Sequence, residues 1–289
     1  MSEYFIFTES YNCSDVLKHC LKSFYKYHND NVYVFCTKND LDELKEFRRI
    51  IPILIEENSD IDILYSQGHA GTARIFAEAI LNHSGKINNI IHFDSDLIFR
   101  QECISNIKIK LKDNYDLVGP VRPYKFNLNG RNDIRHMQDV VATCFLGFNK
   151  SKISITNIDD LTDYINGKPF RGKAILDFFD NISFDILDSG GRIYTFDYNQ
   201  TGGPNKYGDR KNIYDVLNED LDYGDWFIHF AGVGSGSKIY KKGYESTNVG
   251  YSTWALKRYA VYKSLVENIE INNIQIDKEK LDLYKRHMI

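Results

Sequence analysis

The sequence lacks the marks of several large classes of protein. Its five cysteines are odd in number and widely spaced, with no Cys-x-x-Cys pair, which argues against a disulfide framework or a zinc site and predicts reduced thiols in a cytoplasmic compartment. No apolar run approaches the roughly 20 residues of a membrane helix, and the first residues lack a signal-peptide pattern, so we expect no transmembrane segment. Lysine and arginine are dispersed and the net charge is −4, which argues against nucleic acid as a partner.

What the sequence does contain is enough apolar material, 43% of 289 residues, for one large α/β domain. Strand-like and helix-like apolar patterns alternate along its first hundred residues, which predicts a mostly parallel central sheet flanked by helices. The expected strands are Tyr4–Phe7, Asn31–Cys36, Ile53–Ile55, Ile90–Phe93, Asp116–Pro120, Val141–Phe148, Arg192–Phe196 and Trp226–Ala231, with a further element at Ile61–Leu64. The expected helices begin at Ser14 and Thr72 or cover Asp40–Ile51, Thr156–Ile165, Lys173–Phe179 and Ser252–Ile269. We expect residues 1–250 to form the domain and residues 251–289 a helical extension packed on it.

The stretch Ile90–Phe99 carries the strongest chemical signal, because an apolar run is interrupted by Asp94, Ser95 and Asp96. Burying an unpaired carboxylate is very costly, so we expect both acids at the carboxyl end of a buried strand, where open α/β sheets bind ligands. With one residue between them, both carboxylates can bind a single hard cation, Mn²⁺ or Mg²⁺, which in turn can bind a diphosphate. An Asp-Ser-Asp turn without a metal is the alternative.

A second signal is the segment Gly232–Lys238, which directly follows an apolar strand containing His229. Its glycines, Gly232 and Gly234 among them, predict a loop whose N–H groups surround phosphate oxygens, with Lys238 adding a charge. The pattern is neither a P-loop nor a dinucleotide fingerprint, and a flexible surface turn stays open. Neutral imidazole is a competent ligand for Mn²⁺, so His229 can complete the metal site, although a core histidine is the commoner case.

Four further residues are weaker candidates for a nucleotide ligand. Thr8 and Tyr11, at the end of the first strand, can hydrogen-bond to and stack on a nucleobase, although such a tyrosine often only packs. Arg74, in the first turn of the helix that Thr72 would cap, has the guanidinium fork that suits a diphosphate; a solvated helix charge is the alternative. His69 lies in the glycine-flanked loop that we expect before this helix.

Together these segments resemble the GT-A-fold glycosyltransferases, and most closely the family 8, glycogenin-like group. The resemblance covers roughly residues 4–240, in the family's order, and is carried by the segments Phe5–Tyr11, Thr72–Phe76, Ile91–Asp96, Cys144–Lys150 and Phe227–Phe230 with Lys238. It implies a Rossmann-like GT-A fold and an enzyme that transfers a sugar to a hydroxyl acceptor, whether a glycan, a protein or a small molecule. A homodimer stays open.

The resemblance also implies a donor and a metal site. The donor would be a nucleotide-diphospho-sugar, most often a UDP-sugar, bound with Mn²⁺ or Mg²⁺. The metal ligands would be Asp94, Asp96 and His229, and Arg74 and Lys238 would bind the diphosphate. Ser95 lies between the two aspartates and would border the same donor site.

The sequence departs from the family where catalysis is concerned. Leu146 stands before Gly147 where the family has Asn, and the family's Asp-Gln pair beside the reacting sugar has no clear counterpart. Asp177 and Asp180 fall in about that region and are our candidates for the base of an inverting reaction. Retention and inversion therefore both stay open. So do a sugar nucleotidyltransferase, a nucleotide-sugar hydrolase and a non-catalytic module that binds nucleotide sugars or carbohydrate.

Overall fold

The structure of the protein is a computed structural model that describes residues 3–56, 69–121, 141–153, 180–197, 200–201, 221–243 and 249–271. Its strands are β1 Tyr4–Ser10, β2 Val32–Cys36, β3 Ile50–Leu54, β4 Asn89–Phe93, β5 Leu97–Phe99, β6 Leu117–Pro120, β7 Phe145–Asn149, β8 Ile193–Phe196, β9 Leu221–Asp222 and β10 Phe227–His229. Its helices are α1 Ser14–Tyr27, α2 Lys38–Glu43, α3 His69–Glu78, α4 Ile104–Lys112, α5 Asp180–Asp188, α6 Val233–Lys242 and α7 Val249–Tyr262. Short π-helical turns, Ala79–His83 and Lys263–Glu267, continue α3 and α7, and a 3₁₀ turn covers Lys150–Lys152.

Seven strands form the central sheet in the order β3-β2-β1-β4-β7-β6-β8. The pairs β1–β2, β2–β3, β1–β4 and β6–β8 are parallel, and only β7 runs antiparallel to its neighbours β4 and β6. The predicted mostly parallel α/β sheet is therefore confirmed. Because β1 and β4 are parallel neighbours, the segments that follow them emerge at the same edge of the sheet.

Helices cover both faces of this sheet, as expected for a parallel sheet whose strands are apolar on both sides. Along β1, Tyr4 and Ile6 belong to the core cluster that includes α1 and α4, whereas Phe5 and Phe7 belong to the cluster that includes α3 and α5. Alternation of side chains along a strand explains this division. The two cores leave the carboxyl ends of β1 and β4 as the edge on which polar residues gather.

A smaller antiparallel sheet, in the order β5-β10-β9, packs beside the first. Its strand β5 follows β4 after a turn, so the chain passes from one sheet to the other through Asp94–Asp96. In the register of this sheet, His229 pairs with Leu97 and Phe227 with Phe99. The last residue of β10 therefore lies beside the first residue of β5.

Two predicted boundaries near β3 are wrong. The helix expected over Asp40–Ile51 is the shorter α2, whose first turn is capped by Thr37, the hydroxyl of which accepts a hydrogen bond from the Asp40 N–H. Strand β3 begins at Ile50 and contains Pro52, so Ile50 and Ile51, which we expected to end the helix, belong to a strand. A proline is tolerated there because β3 lies at the end of the sheet order, where one side of a strand needs no ladder hydrogen bond.

We predicted a loop over Gly232–Lys238, and this prediction is wrong. Helix α6 begins at Val233, so the rest of the segment is helical. Gly232 precedes the helix with a left-handed φ of 79°. Gly236 allows a close approach of α7, because a Cβ atom there would lie 2.1 Å from the carbonyl oxygen of Ala255 and 2.6 Å from Cβ of Tyr259. These two glycines are thus required by a helix start and a helix–helix contact.

One other predicted helix start and one predicted strand start also shift. Helix α3 begins at His69, so Thr72 is inside the helix and Arg74 lies in its second turn. Strand β7 begins at Phe145, and Val141 instead forms an isolated bridge with Val121. The predicted elements Ile61–Leu64, Thr156–Ile165 and Lys173–Phe179 lie outside the described residues. Among the helices of the described ranges, none is long and apolar enough to cross a membrane.

Candidate metal and donor site

The two aspartates lie in the turn that joins the two sheets. Asp94 follows β4, and its backbone N–H donates to the carbonyl of Cys144 at 2.8 Å, which holds the turn against the start of β7. The Asp96 carbonyl accepts a hydrogen bond from the Phe230 N–H at 3.0 Å. Asp96 is largely buried, with 10% of its side chain exposed, whereas Asp94 is 28% exposed. One carboxylate is therefore embedded and the other faces the opening of the site.

The pairing of β10 with β5 brings His229 to these carboxylates. Its Nε2 atom lies 3.2 Å from Oδ1 of Asp96 and 3.5 Å from Oδ2 of Asp94. One ligand atom from each of the three residues can be chosen so that all lie within 4.8 Å of one another. The structure thus assembles the three predicted metal ligands from two distant parts of the chain.

The electrostatics of this cluster fit a cation. Burial lowers the pKa of His229, but the neighbouring Cys144 and Asp96 raise it, and the balance lies well above the ordinary value. Because its pKa is raised, His229 favours the protonated imidazolium form when no metal is bound, and this positive charge is attracted to the two carboxylates. Two carboxylates and one neutral imidazole form a mixed oxygen and nitrogen donor set that suits Mn²⁺ and tolerates Mg²⁺. The residues therefore fit a divalent metal.

The carboxyl end of β1 forms a second side of the site. Thr8 is fully buried, and its hydroxyl oxygen has no hydrogen-bond partner among the described residues. Tyr11 is also buried, and Nζ of Lys238 lies 5.9 Å from the centroid of its ring, within the range of a cation–π contact. Tyr11 and Lys238, predicted from segments far apart in the sequence, are therefore neighbours.

The chain between β1 and α1 is held in place by α2. The Asp40 carboxylate accepts the backbone N–H of Asn12 at 2.7 Å and that of Ser14 at 3.1 Å. Glu43 accepts the Ser14 hydroxyl at 2.7 Å. Asn12 has a left-handed φ of 59°, a conformation that asparagine tolerates better than most residues. Asp40 thus fixes the segment that carries Tyr11.

The first turn of α6 closes the third side. A Cβ atom on Gly234 would lie 3.7 Å from the Ser95 hydroxyl and 3.8 Å from the Cys13 sulfur, so this turn faces both the Asp-Ser-Asp segment and the end of β1. No side chain caps the helix at Gly232. The N-terminal end of a helix favours negative charge, because its N–H groups point outwards. The site therefore combines a cation position with a helix end suited to phosphate oxygens.

The structure does not bring every predicted residue to this site. Arg74 faces Glu78 of its own helix, Nε to Oε1 at 3.6 Å, and no described contact joins it to the three metal ligands. His69 and Asp180 are placed only as the first residues of α3 and α5, and Asp177 lies outside the described residues. These assignments stay predictions.

Sequence reasoning missed the residues that hold this site together. The Asp40 carboxylate binds the backbone N–H groups of Asn12 and Ser14, a role that no local pattern marks. Asp15 lies in the first turn of α1, and its carboxylate binds Ser237 and Tyr259. These partners are 222 and 244 residues away in the sequence, so local spacing could not reveal them.

No protein-family model matches the sequence, and no curated protein matches it either. Solved structures with a similar fold include an active-site mutant of LgtC, with 16% identity, a TM-score of 0.47 and coverage of 65% of this chain and 71% of that chain. Mouse xyloside xylosyltransferase 1 has 11% identity, a TM-score of 0.43 and coverage of 67% and 85%. A 4-diphosphocytidyl-2C-methyl-D-erythritol synthase from Anaerococcus prevotii has 13% identity, a TM-score of 0.41 and coverage of 68% and 87%.

These similarities concern the fold, and the activities belong to the compared proteins. Glycosyltransferases, the class that the sequence resembles, are among the compared proteins.

Proposed function

We propose that the protein is a metal-dependent glycosyltransferase that transfers a sugar from a nucleotide-diphospho-sugar to a hydroxyl acceptor. The observation that carries this proposal is the cluster of Asp94, Asp96 and His229 beside the glycine-rich start of α6. A cation next to a helix N-terminus suits a diphosphate, because both supply positive potential to the same anion. UDP is the nucleotide that we favour, on the family resemblance of the sequence.

The chain's residues divide the work of binding the donor. Asp94, Asp96 and His229 would hold Mn²⁺ or Mg²⁺, which when bound acts as a Lewis acid on the diphosphate leaving group. Tyr11 would stack on the nucleobase and Thr8 would hydrogen-bond to the nucleoside. Further donor contacts would come from Ser95, Gly232, Gly234, Arg74 and His69.

The difficult step is departure of the nucleoside diphosphate from the anomeric carbon. Negative charge grows on the β-phosphate as that bond breaks. The Lys238 ammonium and the N–H groups of the first turn of α6 are fixed before the reaction, so they would stabilise this charge without reorganising. For an inverting reaction, Asp180 or Asp177 would accept the proton of the acceptor hydroxyl.

The proposal is tested by thermal unfolding with UDP-, GDP- and dTDP-sugars, with and without Mn²⁺. A ligand at about 100 times its dissociation constant stabilises the folded state by about 2.7 kcal/mol, which is readily measured. We expect a shift for one nucleotide class that requires Mn²⁺ and disappears in Asp96→Ala. Asp113→Ala, which alters an exposed carboxylate paired with Lys110, is the control and should keep the shift.

A second measurement separates the functions that share this site. Release of free nucleoside diphosphate that increases with a hydroxyl acceptor supports a transferase, whereas release that depends on water alone indicates a hydrolase. Binding without any release indicates a non-catalytic module. Absence of a shift with every donor, in a protein that unfolds cooperatively, would contradict the donor site itself.

A further inference from the structure

Asp15, in the first turn of α1, is the centre of a polar junction between the two ends of the chain. Its carboxylate accepts the Ser237 hydroxyl at 2.7 Å and the Tyr259 hydroxyl at 2.5 Å, and it pairs with Nζ of Lys241 at 2.6 Å. Nζ of Lys263 lies 3.9 Å away. These partners lie on α6, on α7 and on the π-helical turn after α7, so one carboxylate joins three C-terminal segments to α1.

The junction is charged and largely enclosed. Only 16% of the Asp15 side chain is exposed. Burial alone would raise the pKa of Asp15, but the hydrogen bonds and charge of Lys241, with the hydroxyls of Tyr259 and Ser237, hold it below the ordinary value. A carboxylate with this many donors is strongly restrained, since each charge-assisted bond is shorter and stronger than a neutral one. Asp15 is therefore a firm attachment point for α6.

Helix α6 packs closely against α7. At Gly236 the two helices are so close that a single added methyl group would meet the Ala255 carbonyl oxygen. Asp15 contacts both helices, through Ser237 on α6 and Tyr259 on α7. It therefore holds the helix pair as one unit against the start of α1.

This attachment sets the geometry of the donor site. Ser237, which Asp15 binds, is followed directly by Lys238, whose Nζ lies over the ring of Tyr11. Tyr11 and Asp15 are on the same short segment at the start of α1. The segment thus supplies both the aromatic surface and the anchor that keeps Lys238 over it.

We propose that Asp15 is a positioning residue of the donor site, which fixes the first turns of α6 and thereby Lys238 against the diphosphate of a bound nucleotide. This inference rests on the proposed function. Asp15 acts through α6 and does not contact Asp94, Asp96 or His229 in any described interaction. Its removal should therefore weaken nucleoside diphosphate binding and leave binding of the metal alone unchanged.

The test compares the affinity of the full chain for Mn²⁺ alone with its affinity for UDP in saturating Mn²⁺. Asp15→Asn keeps the volume and an oxygen acceptor for one of the two hydroxyls, which donate to different carboxylate oxygens, but loses the charge that binds Lys241. We expect the variant to bind UDP about tenfold more weakly than the unaltered protein does, which is a typical effect for residues that are coupled through contacts. Its affinity for Mn²⁺ should stay within about twofold of that of the unaltered protein. Asp30→Asn is the matched control, because it removes an ion pair with Lys108 of 2.5 Å that has no link to α6.

A double-mutant cycle shows whether Asp15 acts through Lys238. If it does, Asp15→Asn combined with Lys238→Met should bind UDP about as weakly as Lys238→Met alone. Fully multiplicative losses, or unchanged UDP binding in Asp15→Asn, would overturn the inference. So would equal weakening of Mn²⁺, which indicates general loss of structure.

A second variant protects the test against misfolding. Ser237→Ala removes one hydroxyl from the junction and should weaken UDP binding by about threefold with Mn²⁺ unaffected, in line with one coupled contact. If the unaltered protein binds Mn²⁺ but no nucleoside diphosphate, the proposed function fails and this inference with it. If UDP binds equally to all variants, the inference alone fails.

Discussion

At the scale of single residues, the site contains a buried polar group that the described residues leave unsatisfied. The buried hydroxyl of Thr8 has no partner among the described residues, and an unsatisfied buried group costs about 1–3 kcal/mol. Natural proteins retain such costs mainly at functional sites. Thr8 is thus a place where stability and ligand binding are expected to oppose each other.

Thr8→Val tests this opposition. The isosteric substitution removes the unsatisfied hydroxyl, so we expect the ligand-free protein to gain about 1 kcal/mol of unfolding free energy and its affinity for the nucleotide to fall. Chemical denaturation and nucleotide titration measure the two effects. The control is Thr37→Val, whose hydroxyl accepts the Asp40 N–H at 3.1 Å and should therefore cost about 1 kcal/mol. A less stable Thr8→Val with unaltered affinity would contradict the assignment.

At the scale of elements, substitutions at two glycines of α6 test its packing and its part in ligand binding independently. Gly236→Ala would place a methyl group 2.1 Å from a backbone oxygen of α7, so we expect a loss of about 1–3 kcal/mol or more as the helices move apart. Gly234→Ala meets only ordinary contacts at 3.7 and 3.8 Å, so the helix should gain about 0.5 kcal/mol. Thermal unfolding of both variants measures these opposite signs.

The same pair also tests the position of the ligand. The methyl group of Gly234→Ala points toward Ser95, so the variant should bind nucleotide more weakly although it is more stable. Unchanged nucleotide affinity in a stabilised Gly234→Ala protein would mean that the first turn of α6 does not approach the donor.

The elements also show what the sequence could reveal. Local apolar periodicity predicted strands β2 and β4 within one residue of their observed bounds, and it predicted where β1 and α1 begin. Helix α6 was missed because its glycines, interpreted as loop signals, serve a contact with α7 that only the folded chain creates. Strand β3 was misplaced because the tolerance of Pro52 depends on its place at the sheet edge.

The site shows the same limit. Asp94 and Asp96 could be predicted because two acids that end an apolar run are a local signal. The pairing of β10 with β5, which delivers His229, and the contacts of Asp15 link residues more than a hundred positions apart. Such pairings depend on the topology of the fold, and no local pattern in the sequence reveals them.

At the scale of the whole molecule, acid stability should depend on a buried histidine that joins two helices. His28 follows α1, its Nδ1 lies 2.9 Å from the Phe24 carbonyl oxygen, and its Nε2 accepts the Cys103 N–H at 3.1 Å. Burial lowers its pKa below the ordinary value, although hydrogen bonding to Phe24 raises it in part. The unfolded chain therefore takes up the proton first as the pH falls.

The sign of the effect follows from this order of protonation. The contribution of neutral His28 to stability is intact above the ordinary histidine pKa and is lost as the pH falls below it. His28→Gln should be less stable than the unaltered protein at pH 7.5 but should lose less on going to pH 5.5, by up to about 1.4 kcal/mol for one pH unit. Urea unfolding at both pH values measures the difference; parallel losses would exclude His28.

The His28→Gln protein still contains a second buried histidine, His92, that responds to acid. Burial lowers the pKa of His92, which packs against Phe7 and Phe76, to about 3. The His28→Gln protein should therefore retain part of the pH dependence, and only the difference between the two proteins reports on His28.

All five cysteines are buried, each with 2% or less of its surface exposed, and they are distributed over α1, β2 and the segments before α1, α4 and β7. Burial also raises the pKa of the Cys13 thiol to about 11, so little of it is in the reactive thiolate form. In the folded protein, a thiol reagent therefore cannot reach any of these five cysteines. The five thiols can therefore serve as natural reporters of unfolding. The rate at which a reagent modifies each cysteine measures how often that part of the fold opens, and no label has to be introduced.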